Sequence, residues 1–547
     1  MLYRHKLKGL IGILLSLWAG FANIFLLPRF DVDTYHDGYI YPMALSTSQG
    51  GFPHKDFINL YGPVSAIVSG FWIRVFGPSV FNLRIYGAFL IMLISILTFV
   101  LIRRIANQEV ALVLTIIWMI GNPLVVHPSL PWVDLHTTAL LLIFFWMCIF
   151  IKKFTFEWRL TLLGVILPIG VATKISFGIV SVSIIMFVAI RWGMRSVIPL
   201  LKGSFIAGFS ILLFLYFSGS LVNYVEQTMY FAWQFHDSGK SVRGTINIRS
   251  ILFGSCFILL VYFLKFENSK FRLWKKYLGP SLFLLSSIVW VMVALWFRKL
   301  SDPFQAASNN LGENILNFLK NTPYFPLFAS IFVLPLMLVF AALHEHKLRK
   351  FEVKDQSILL SAVSGCYIFQ LYPNPDPAHI WYIFPVVVVG IISLSSKQAP
   401  EKLLNKVNRL VLAPVILALF IINLQYLQIN RVYHQESPLK GMMSTPSKVE
   451  AIDSTLSLLR KNLQRGPVVY SCMRGLYSVH NNTLYASDYQ FVDIKPPYFK
   501  SRREAPFTFV CDRSEKEIRD MGLGKVLIFE TSSEQVNLRN ALYVSKS

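Results

Sequence analysis

The sequence predicts a polytopic α-helical membrane protein. Three observations lead to this prediction: an apolar composition, repeated long apolar runs, and basic residues concentrated in alternate connections. Apolar residues make up 54% of the chain and the mean hydropathy is +0.53, far from the balance of a soluble domain. Inside a bilayer every backbone amide needs an internal partner, so apolar runs of this length are expected to form helices.

About thirteen apolar runs are long enough, or nearly long enough, to cross the hydrocarbon core. They are 8–27, 80–102, 108–126, 136–151, 158–173, 175–191, 197–217, 249–265, 279–297, 325–343, 356–372, 379–396 and 408–427. The first run has a basic flank but no small-residue cleavage site, which predicts an uncleaved anchor.

Most basic residues lie in alternate connections between these runs, which places them on one side of the membrane. They are Arg4, Lys6, Lys8, Arg103, Arg104, Lys152, Lys153, Arg191, Arg195, Lys270, Arg272, Lys275, Lys276, Lys347, Arg349, Lys350, Lys402, Lys406 and Arg409. The positive-inside rule then places the N-terminus in the cytoplasm, and an odd number of spans places the C-terminus outside. The net charge of +23 is explained by this topology and by anionic lipids, without nucleic acid.

Acidic residues concentrate in the opposite, outer connections. These connections hold Asp31, Asp33, Asp37 and Asp56 in the first loop, Asp134 in the second, and Asp376 in a late Pro-rich loop. Carboxylates beside a bilayer are costly and mark functional sites. Here they could act as a general base, bind a divalent cation or accept hydrogen bonds from a sugar. The pattern predicts an enzyme working at the outer membrane surface.

Two segments of the first outer loop are too short or too polar to span. Residues 39–48 and 64–76 are predicted to lie in the interface as helices. Gly50, Gly51 and the Gly62–Pro63 pair would separate them. Such helices would hold the acidic turn against the membrane.

The order of these features resembles the GT-C superfamily of integral-membrane glycosyltransferases over residues 1 to about 430. The nearest likeness is to bacterial relatives of the protein O-mannosyltransferases and the lipid A aminoarabinose transferases. The matching segments are His36-Asp37-Gly38-Tyr39, Gly50-Gly51-Phe52-Pro53-His54-Lys55-Asp56, Tyr61-Gly62-Pro63, Val171-Ala172-Thr173-Lys174 running on to Gly178, and Asn374-Pro375-Asp376-Pro377-Ala378-His379.

This resemblance implies an inverting transfer of a sugar from a polyprenyl-phosphate donor to a lipid, glycan or protein acceptor, with a carboxylate as general base. Asp37 is the favoured base. The first acidic position of the family motif falls on His36 here, so Asp33 is the alternative. Asp134 is the second catalytic candidate, as an orienting carboxylate or a metal contact. A divalent cation is a candidate cofactor, and its ligands are left open.

Substrate contacts are expected from the remaining motif residues. Lys174 interrupts an apolar run at an outer turn and is the candidate cation for the donor phosphate, with snorkelling to the headgroups as the alternative. Asp376 and His379 would close the site from the far side. The other candidate contacts are His36, His54 and Asp56.

The hydropathy changes near residue 428. We predict a transmembrane domain over 1–428, with its acidic first outer loop at 28–79, and an extracytoplasmic α/β domain over 429–547. The second domain contains an amphipathic helix over 447–463 and strands over 467–471, 507–511, 525–530 and 541–544.

Two other classes of protein share the many spans. A transporter or flippase for a lipid-linked saccharide would place its charges near the bilayer midplane, on broken helices of repeated halves. A ligase or polymerase of surface polysaccharides would use a different donor and an outer site richer in arginine. An outer cavity lined by Asp37, Asp134 and Lys174 is expected for the glycosyltransferase.

Overall fold

A computed structural model of the chain describes residues 20, 23, 26–30, 32, 36–57, 59–125, 130–150, 157–231, 356–371, 377–395, 430–436, 439–463, 469–470, 507–511, 525–530 and 539–544. Its helices in the first part of the chain are α1 (His36–Ser48), α2 (Pro63–Phe76), α3 (Val80–Ile105), α4 (Gln108–Val125), α5 (Val133–Phe150), α6 (Glu157–Thr173), α7 (Phe177–Trp192), α8 (Val197–Phe217), α9 (Leu221–Val225), α10 (Gln356–Cys366) and α11 (Pro377–Ser395). Short 3-10 turns cover Leu27–Arg29, Met194–Ser196 and Tyr367–Leu371, and a π-helical turn covers Glu226–Phe231.

The two short helices predicted in the first outer loop are confirmed as α1 and α2. The turn after α1 contains Gly50 at a φ of 97°, a left-handed conformation that glycine adopts without strain. Gly62 precedes the first turn of α2, and Pro63 occupies the first helical position, where its missing N–H has no intrahelical partner to lose. α1 and α2 pack closely, since a Cβ at Gly70 would lie 2.6 Å from the Thr47 side chain.

Two helices of the described residues are long and apolar enough to cross a membrane: α3, and α8 together with the preceding 3-10 turn. α8 exposes large apolar side chains, with Phe205 71% and Phe217 79% accessible. A face of this kind suits lipid and would be costly in water. The predicted runs over 249–265, 279–297, 325–343 and 408–427 lie outside the described residues, so the expected thirteen spans stay a prediction.

Close contacts at two glycines join α6 to α8. A Cβ at Gly164 would lie 1.9 Å from the Leu200 carbonyl oxygen, and a Cβ at Gly203 would lie 1.8 Å from the Thr161 carbonyl oxygen. Small residues at such crossings let two apolar helices approach until their backbones touch. This crossing brings the residues that follow α8 toward the C-terminal end of α6.

The late helix α11 packs into the core beside α4 and α5. Thr138 donates its hydroxyl to the Tyr382 carbonyl oxygen at 2.9 Å, and Trp118 donates its indole N–H to the Trp381 carbonyl oxygen at 3.3 Å. Both acceptors lie in the first turns of α11. As a result, the beginning of α11 meets the beginning of α5.

The last part of the chain contains the helix α12 (Pro446–Leu463) and the strands β1 (Val432–Tyr433), β2 (Met443–Ser444), β3 (Val469–Tyr470), β4 (Phe507–Cys511), β5 (Lys525–Glu530) and β6 (Arg539–Val544). β1 and β2 form an antiparallel hairpin, and the other strands form a sheet in the order β3-β4-β6-β5. β3 and β4 are parallel, and the remaining pairs of this sheet are antiparallel.

The helix and the strands β4 and β5 are confirmed, and β6 begins two residues earlier than expected. The strand expected over 467–471 is described only at Val469–Tyr470, which form β3. The β1–β2 hairpin was not predicted, because two-residue strands carry no alternating pattern. The location of this region outside the membrane stays a prediction.

Candidate functional site

Connections that the sequence places on the outer side meet at one end of the helices. The backbone N–H of Gly62 donates to the Thr173 carbonyl oxygen at 3.0 Å. A Cβ at Gly62 would lie 1.8 Å from the Ala172 carbonyl oxygen, so only glycine permits this approach. The first loop is thereby fixed directly against the turn that carries Lys174, and two separate segments of the family resemblance become neighbours.

A buried charge cluster forms at this turn. The Lys174 ammonium donates to Asp134 Oδ1 at 2.8 Å and also to the Gln370 carbonyl oxygen. Lys174 is 3% exposed and Asp134 is fully buried. On the other side, His379 Nε2 lies 3.5 Å from Asp134 Oδ2. The structure therefore brings together Asp134, Lys174 and His379 from three distant segments; we call them the Asp134 cluster.

The Asp134 carboxylate is incompletely satisfied. Its Oδ2 atom has no hydrogen-bond partner among the residues the structure describes, and the contact with His379 is longer than a normal hydrogen bond. A buried carboxylate oxygen without a donor costs free energy comparable to a lost hydrogen bond. The cluster is accordingly suited to accept one more donor, such as a hydroxyl or an amine of a substrate.

A narrow cleft lies next to the Asp134 cluster, between α1, α2 and the start of α5. It is lined by Tyr39, Ile40, Met43, Asn59, Tyr61, Ser65, Ala66, Ser69, Pro131, Trp132 and Val133. Two of its aromatic walls reach the cluster: the Lys174 ammonium lies 5.9 Å from the Tyr61 ring centre, and the Trp132 ring centre lies 6.2 Å from that of His379. We call this feature the aromatic cleft.

The composition of the aromatic cleft differs from the expectation. Asp37, Asp134 and Lys174 were expected to line an outer cavity, but none of the three lines this cleft. Its walls combine three aromatic rings with five other apolar residues, Asn59 and two serines are its polar groups, and the charged cluster lies behind Tyr61 and Trp132. The enclosed volume is about 20 Å³, the space of about one water molecule.

Asp37 lies in a second, saturated ion pair. Arg84 donates through Nε to Asp37 Oδ1 at 2.9 Å and through Nη2 to Asp37 Oδ2, and both side chains are fully buried. Arg84 also donates through Nη1 to the Phe30 carbonyl oxygen at 2.6 Å. Both carboxylate oxygens thus accept from one guanidinium, the strongest geometry for such a pair. Asp37 as the general base stays a prediction, and in this conformation the pair would have to open first.

His54 links the first loop to the segment after α8. Gln227 Oε1 lies 3.0 Å from both His54 Nδ1 and the Asn59 N–H, and an amide oxygen can only accept, so Nδ1 carries the proton of the neutral ring. Burial lowers the pKa of His54 to about 4, against a smaller opposing effect of the Gln227 hydrogen bond. His54 Nε2 has no hydrogen-bond partner among the described residues. His54 is therefore a neutral acceptor near neutral pH.

The remaining predicted site residues are placed as follows. Asp56 Oδ2 accepts from the Phe52 N–H at 2.7 Å and closes the turn before α2, which makes it a loop-forming group in this conformation. His36 begins α1, and its side chain lies outside the described part. Asp33 and Asp376 lie outside the described residues. No group of three potential metal ligands occurs among the residues that were described.

Sequence reasoning missed several groups of this site. Arg84 is one of them, because its partner Asp37 lies 47 residues away in the sequence. Gln227 and the Gln370 carbonyl carried no signal, because neither belongs to a recognisable motif. Trp132 could have been found, since it stands two residues before Asp134 in a Pro-rich outer loop.

No protein-family model matches this chain, and no curated protein matches it significantly. Several solved structures match it. ArnT from Cupriavidus metallidurans bound to undecaprenyl phosphate is 10% identical with a TM-score of 0.45, covering 98% of this chain and 97% of that one. An oligosaccharyltransferase from Archaeoglobus fulgidus, solved with Zn and sulfate, is 12% identical with a TM-score of 0.39, covering 83% of this chain.

A further structure, the oligosaccharyltransferase AglB from Archaeoglobus fulgidus with an inhibitory peptide and a dolichol-phosphate, is 12% identical with a TM-score of 0.37 and is covered over 56% of its length. This chain thus spans about half the length of the oligosaccharyltransferases it matches.

Proposed function

We propose that this chain is a membrane glycosyltransferase that moves a sugar from a polyprenyl-phosphate donor to an acceptor on the extracytoplasmic face. One observation carries the proposal: the Asp134 cluster lies directly behind an aromatic cleft. In this cluster a buried carboxylate is paired with an ammonium, and its second oxygen accepts no hydrogen bond from the described residues. Clefts with aromatic walls and a few convergent polar groups are typical of small-ligand sites.

In the proposed reaction, an acceptor hydroxyl or amine attacks the anomeric carbon as the bond from that carbon to the phosphate oxygen breaks. The electron pair leaves with the phosphate, and the proton of the acceptor goes to a carboxylate. Inversion follows from a single displacement. The proposal assigns the proton to Asp134 Oδ2, because this oxygen faces His379 and lacks a hydrogen-bond donor among the described residues.

Lys174 is proposed to stabilise the departing phosphate. Its ammonium is already desolvated and is held between Asp134 and a carbonyl oxygen at the edge of the aromatic cleft. Charged donors in such dry surroundings act strongly on developing negative charge. A donor sugar requires the aromatic cleft to widen, by a movement of α1 and α2 away from Trp132. We retain Asp37, Asp33 and Asp376 as further candidates.

The placement of charge favours transfer over transport. Asp37 and Asp134 stand in the first turns of α1 and α5, and Arg84 is near the start of α3. Lys174 stands in the turn after α6. A transporter would be expected to hold such groups midway along its helices.

The test is product analysis with the purified full-length protein and a panel of polyprenyl-phosphate sugars. Release of polyprenyl phosphate together with a glycosylated acceptor is the expected result. Lys174→Met should weaken donor binding strongly, whereas Lys55→Met, which removes an exposed lysine of the first loop, should not. If no donor is consumed while vesicles containing the protein translocate a lipid-linked saccharide, the chain is a flippase and the proposal is wrong.

A further inference from the structure

A serine, a histidine and an aspartate form a hydrogen-bonded chain in the C-terminal part of the protein. His434 Nδ1 lies 2.6 Å from Asp453 Oδ1, and His434 Nε2 lies 3.0 Å from Ser444 Oγ. Ser444 Oγ in turn accepts from the backbone N–H of Val32 at 3.1 Å. This series of hydrogen bonds therefore starts on α12, passes through the β1–β2 hairpin and ends on the first outer loop.

The direction of each hydrogen bond is fixed by chemistry. An ionised Asp453 can only accept, so Nδ1 of His434 carries the proton and Nε2 of the neutral ring accepts. The Val32 N–H can only donate, so the Ser444 oxygen accepts from it and its hydroxyl hydrogen points to His434. Asp453 is held as well, because its Oδ2 accepts from the Gln435 N–H at 2.9 Å.

The three side chains are connected as in a hydrolytic triad, but a substrate cannot reach the serine. Ser444 is fully buried and His434 is 1% exposed. A nucleophilic serine must reach a carbonyl carbon, and it needs donors for the resulting oxyanion. The Ser444 oxygen instead accepts a hydrogen bond from the Val32 N–H. A positioning role fits this geometry better than a reaction.

The same region makes further contacts with the first outer loop. Phe30 forms a β-bridge with Met443, and the Arg431 guanidinium lies 4.4 Å from the Phe30 ring centre. Val32 packs in a buried cluster with four apolar residues of the C-terminal region: Leu439, Met442, Ile452 and Leu456. The Phe30 carbonyl oxygen also accepts a hydrogen bond from Arg84. The Arg84–Asp37 pair and the contact with the C-terminal region therefore both involve the segment at Phe30.

We propose that Ser444, His434 and Asp453 form a hydrogen-bond relay through which the C-terminal region fixes the acidic first loop at Val32. Val32 stands between Asp31 and Asp33 in the sequence, so its N–H anchors the peptide that carries both carboxylates. The relay is independent of the reaction proposed above. It gives the C-terminal region a positioning role rather than that of a separate domain.

The relay is expected to loosen in acid. The charged groups that act on His434 are Asp453 and Lys448 from α12 and Arg84 from α3. Burial lowers the pKa of His434, and the bond to Asp453 opposes this in part. On protonation Nε2 becomes a donor, and the Ser444 hydroxyl hydrogen loses its acceptor. Because the folded pKa lies below 6.5, the relay is intact above that pH and weakens as the pH falls below it.

Hydrogen exchange of the Val32 amide in the purified full-length protein tests the relay. Ser444→Ala should raise the exchange rate about tenfold, the effect of removing one buried acceptor. Ser444→Thr, which keeps the hydroxyl, should retain protection, and Ser457→Ala on the exposed face of α12 is the matched control. In the wild type, exchange corrected for the intrinsic pH effect should accelerate below pH 6.5, and His434→Gln should abolish this acid dependence.

Two outcomes would overturn the proposal. The first is an unchanged Val32 exchange rate in Ser444→Ala together with a flat pH profile in the wild type. The second is covalent labelling of Ser444 by a fluorophosphonate probe, which would make the serine an accessible nucleophile. The wild-type profile needs no substitution, so the test stands even where a variant fails to fold.

Discussion

The pairs Arg84–Asp37 and Lys174–Asp134 are both buried, and they differ in how completely the carboxylate is hydrogen bonded. Both oxygens of Asp37 accept hydrogen bonds from one guanidinium. Only one oxygen of Asp134 accepts a hydrogen bond from Lys174, and the other faces His379. A carboxylate with both oxygens hydrogen bonded must break a bond before it can contact a substrate, so such a pair suits a structural role. An unsaturated pair can accept a substrate group without first being broken. The difference favours Asp134 as the reacting carboxylate and Asp37 as the residue that holds α1 to α3.

The largest expected effect is on stability. Asp37→Asn puts an amide N–H₂ against a guanidinium donor and removes the carboxylate charge from a buried ion pair with Arg84, so we expect a loss of about 3–5 kcal/mol in the free energy of unfolding. Asp134→Asn also removes a carboxylate from a buried pair, but its amide N–H₂ would replace Oδ2, which accepts no hydrogen bond among the described residues, so the loss should be smaller. Denaturant unfolding in detergent measures both. Equal losses would show that the two pairs do not differ in their structural role.

A double variant sharpens this comparison. Replacing Asp37 by Leu together with Arg84 by Met removes both charges and should recover much of the stability lost in Asp37→Asn, because apolar residues can replace a buried pair at little cost. If the double variant were less stable than the single one, the Arg84 bond to the Phe30 carbonyl would be the more important contact.

The next effect is a pH dependence that comes from His54. Its folded pKa of about 4 lies below the unfolded value of 6.5, so its contribution is constant above pH 6.5 and is lost as the pH falls toward 4. The loss should approach about 3 kcal/mol at pH 4. His54→Asn tolerates the positive φ of 69° and removes the titrating group.

The measurement is the free energy of unfolding of both proteins at pH 7.5 and pH 4.5. The wild type should lose more stability between these values than His54→Asn does. Identical losses would mean that His54 is protonated in the folded protein, or that its environment is more polar than the Gln227 contact indicates.

A smaller effect is expected where the first loop meets the Lys174 turn. Gly62→Ala places a Cβ against the Ala172 carbonyl and should cost about 1–3 kcal/mol through overpacking. It should also slow transfer, because Lys174 moves with this turn. Gly178→Ala is the matched control, since its Cβ would meet nothing within 4 Å. Comparable losses in both variants would exclude the close approach as the cause.

Local features of this structure were predictable from the sequence. Helices α1 and α2, the glycines that separate them, and the strands β4 and β5 follow from periodicity and turn residues, which act over a few positions. The sequence also indicated that Lys174 needs an anion, because a charge at an apolar turn is costly. It assigned that anion to the donor phosphate, whereas Lys174 contacts Asp134 in the structure.

Long-range pairing could not be predicted. Nothing in the first loop distinguishes Asp37 from a solvated carboxylate, since its partner Arg84 lies on another helix. The link from Ser444 to Val32 spans 412 positions and depends on a hairpin with two-residue strands. Such contacts follow from how the helices pack in three dimensions, and a single sequence does not contain that information.

The most direct test of this account compares initial transfer rates of Asp134→Asn and Asp37→Asn, with a donor identified by product analysis and rates normalised to folded protein. We expect Asp134→Asn to lose about 100-fold or more of its transfer rate, as for removal of a general base, and to lose less stability than Asp37→Asn does. Asp37→Asn should lose stability and much less rate per folded molecule. A rate that collapses in Asp37→Asn and persists in Asp134→Asn would contradict the account and make Asp37 the base.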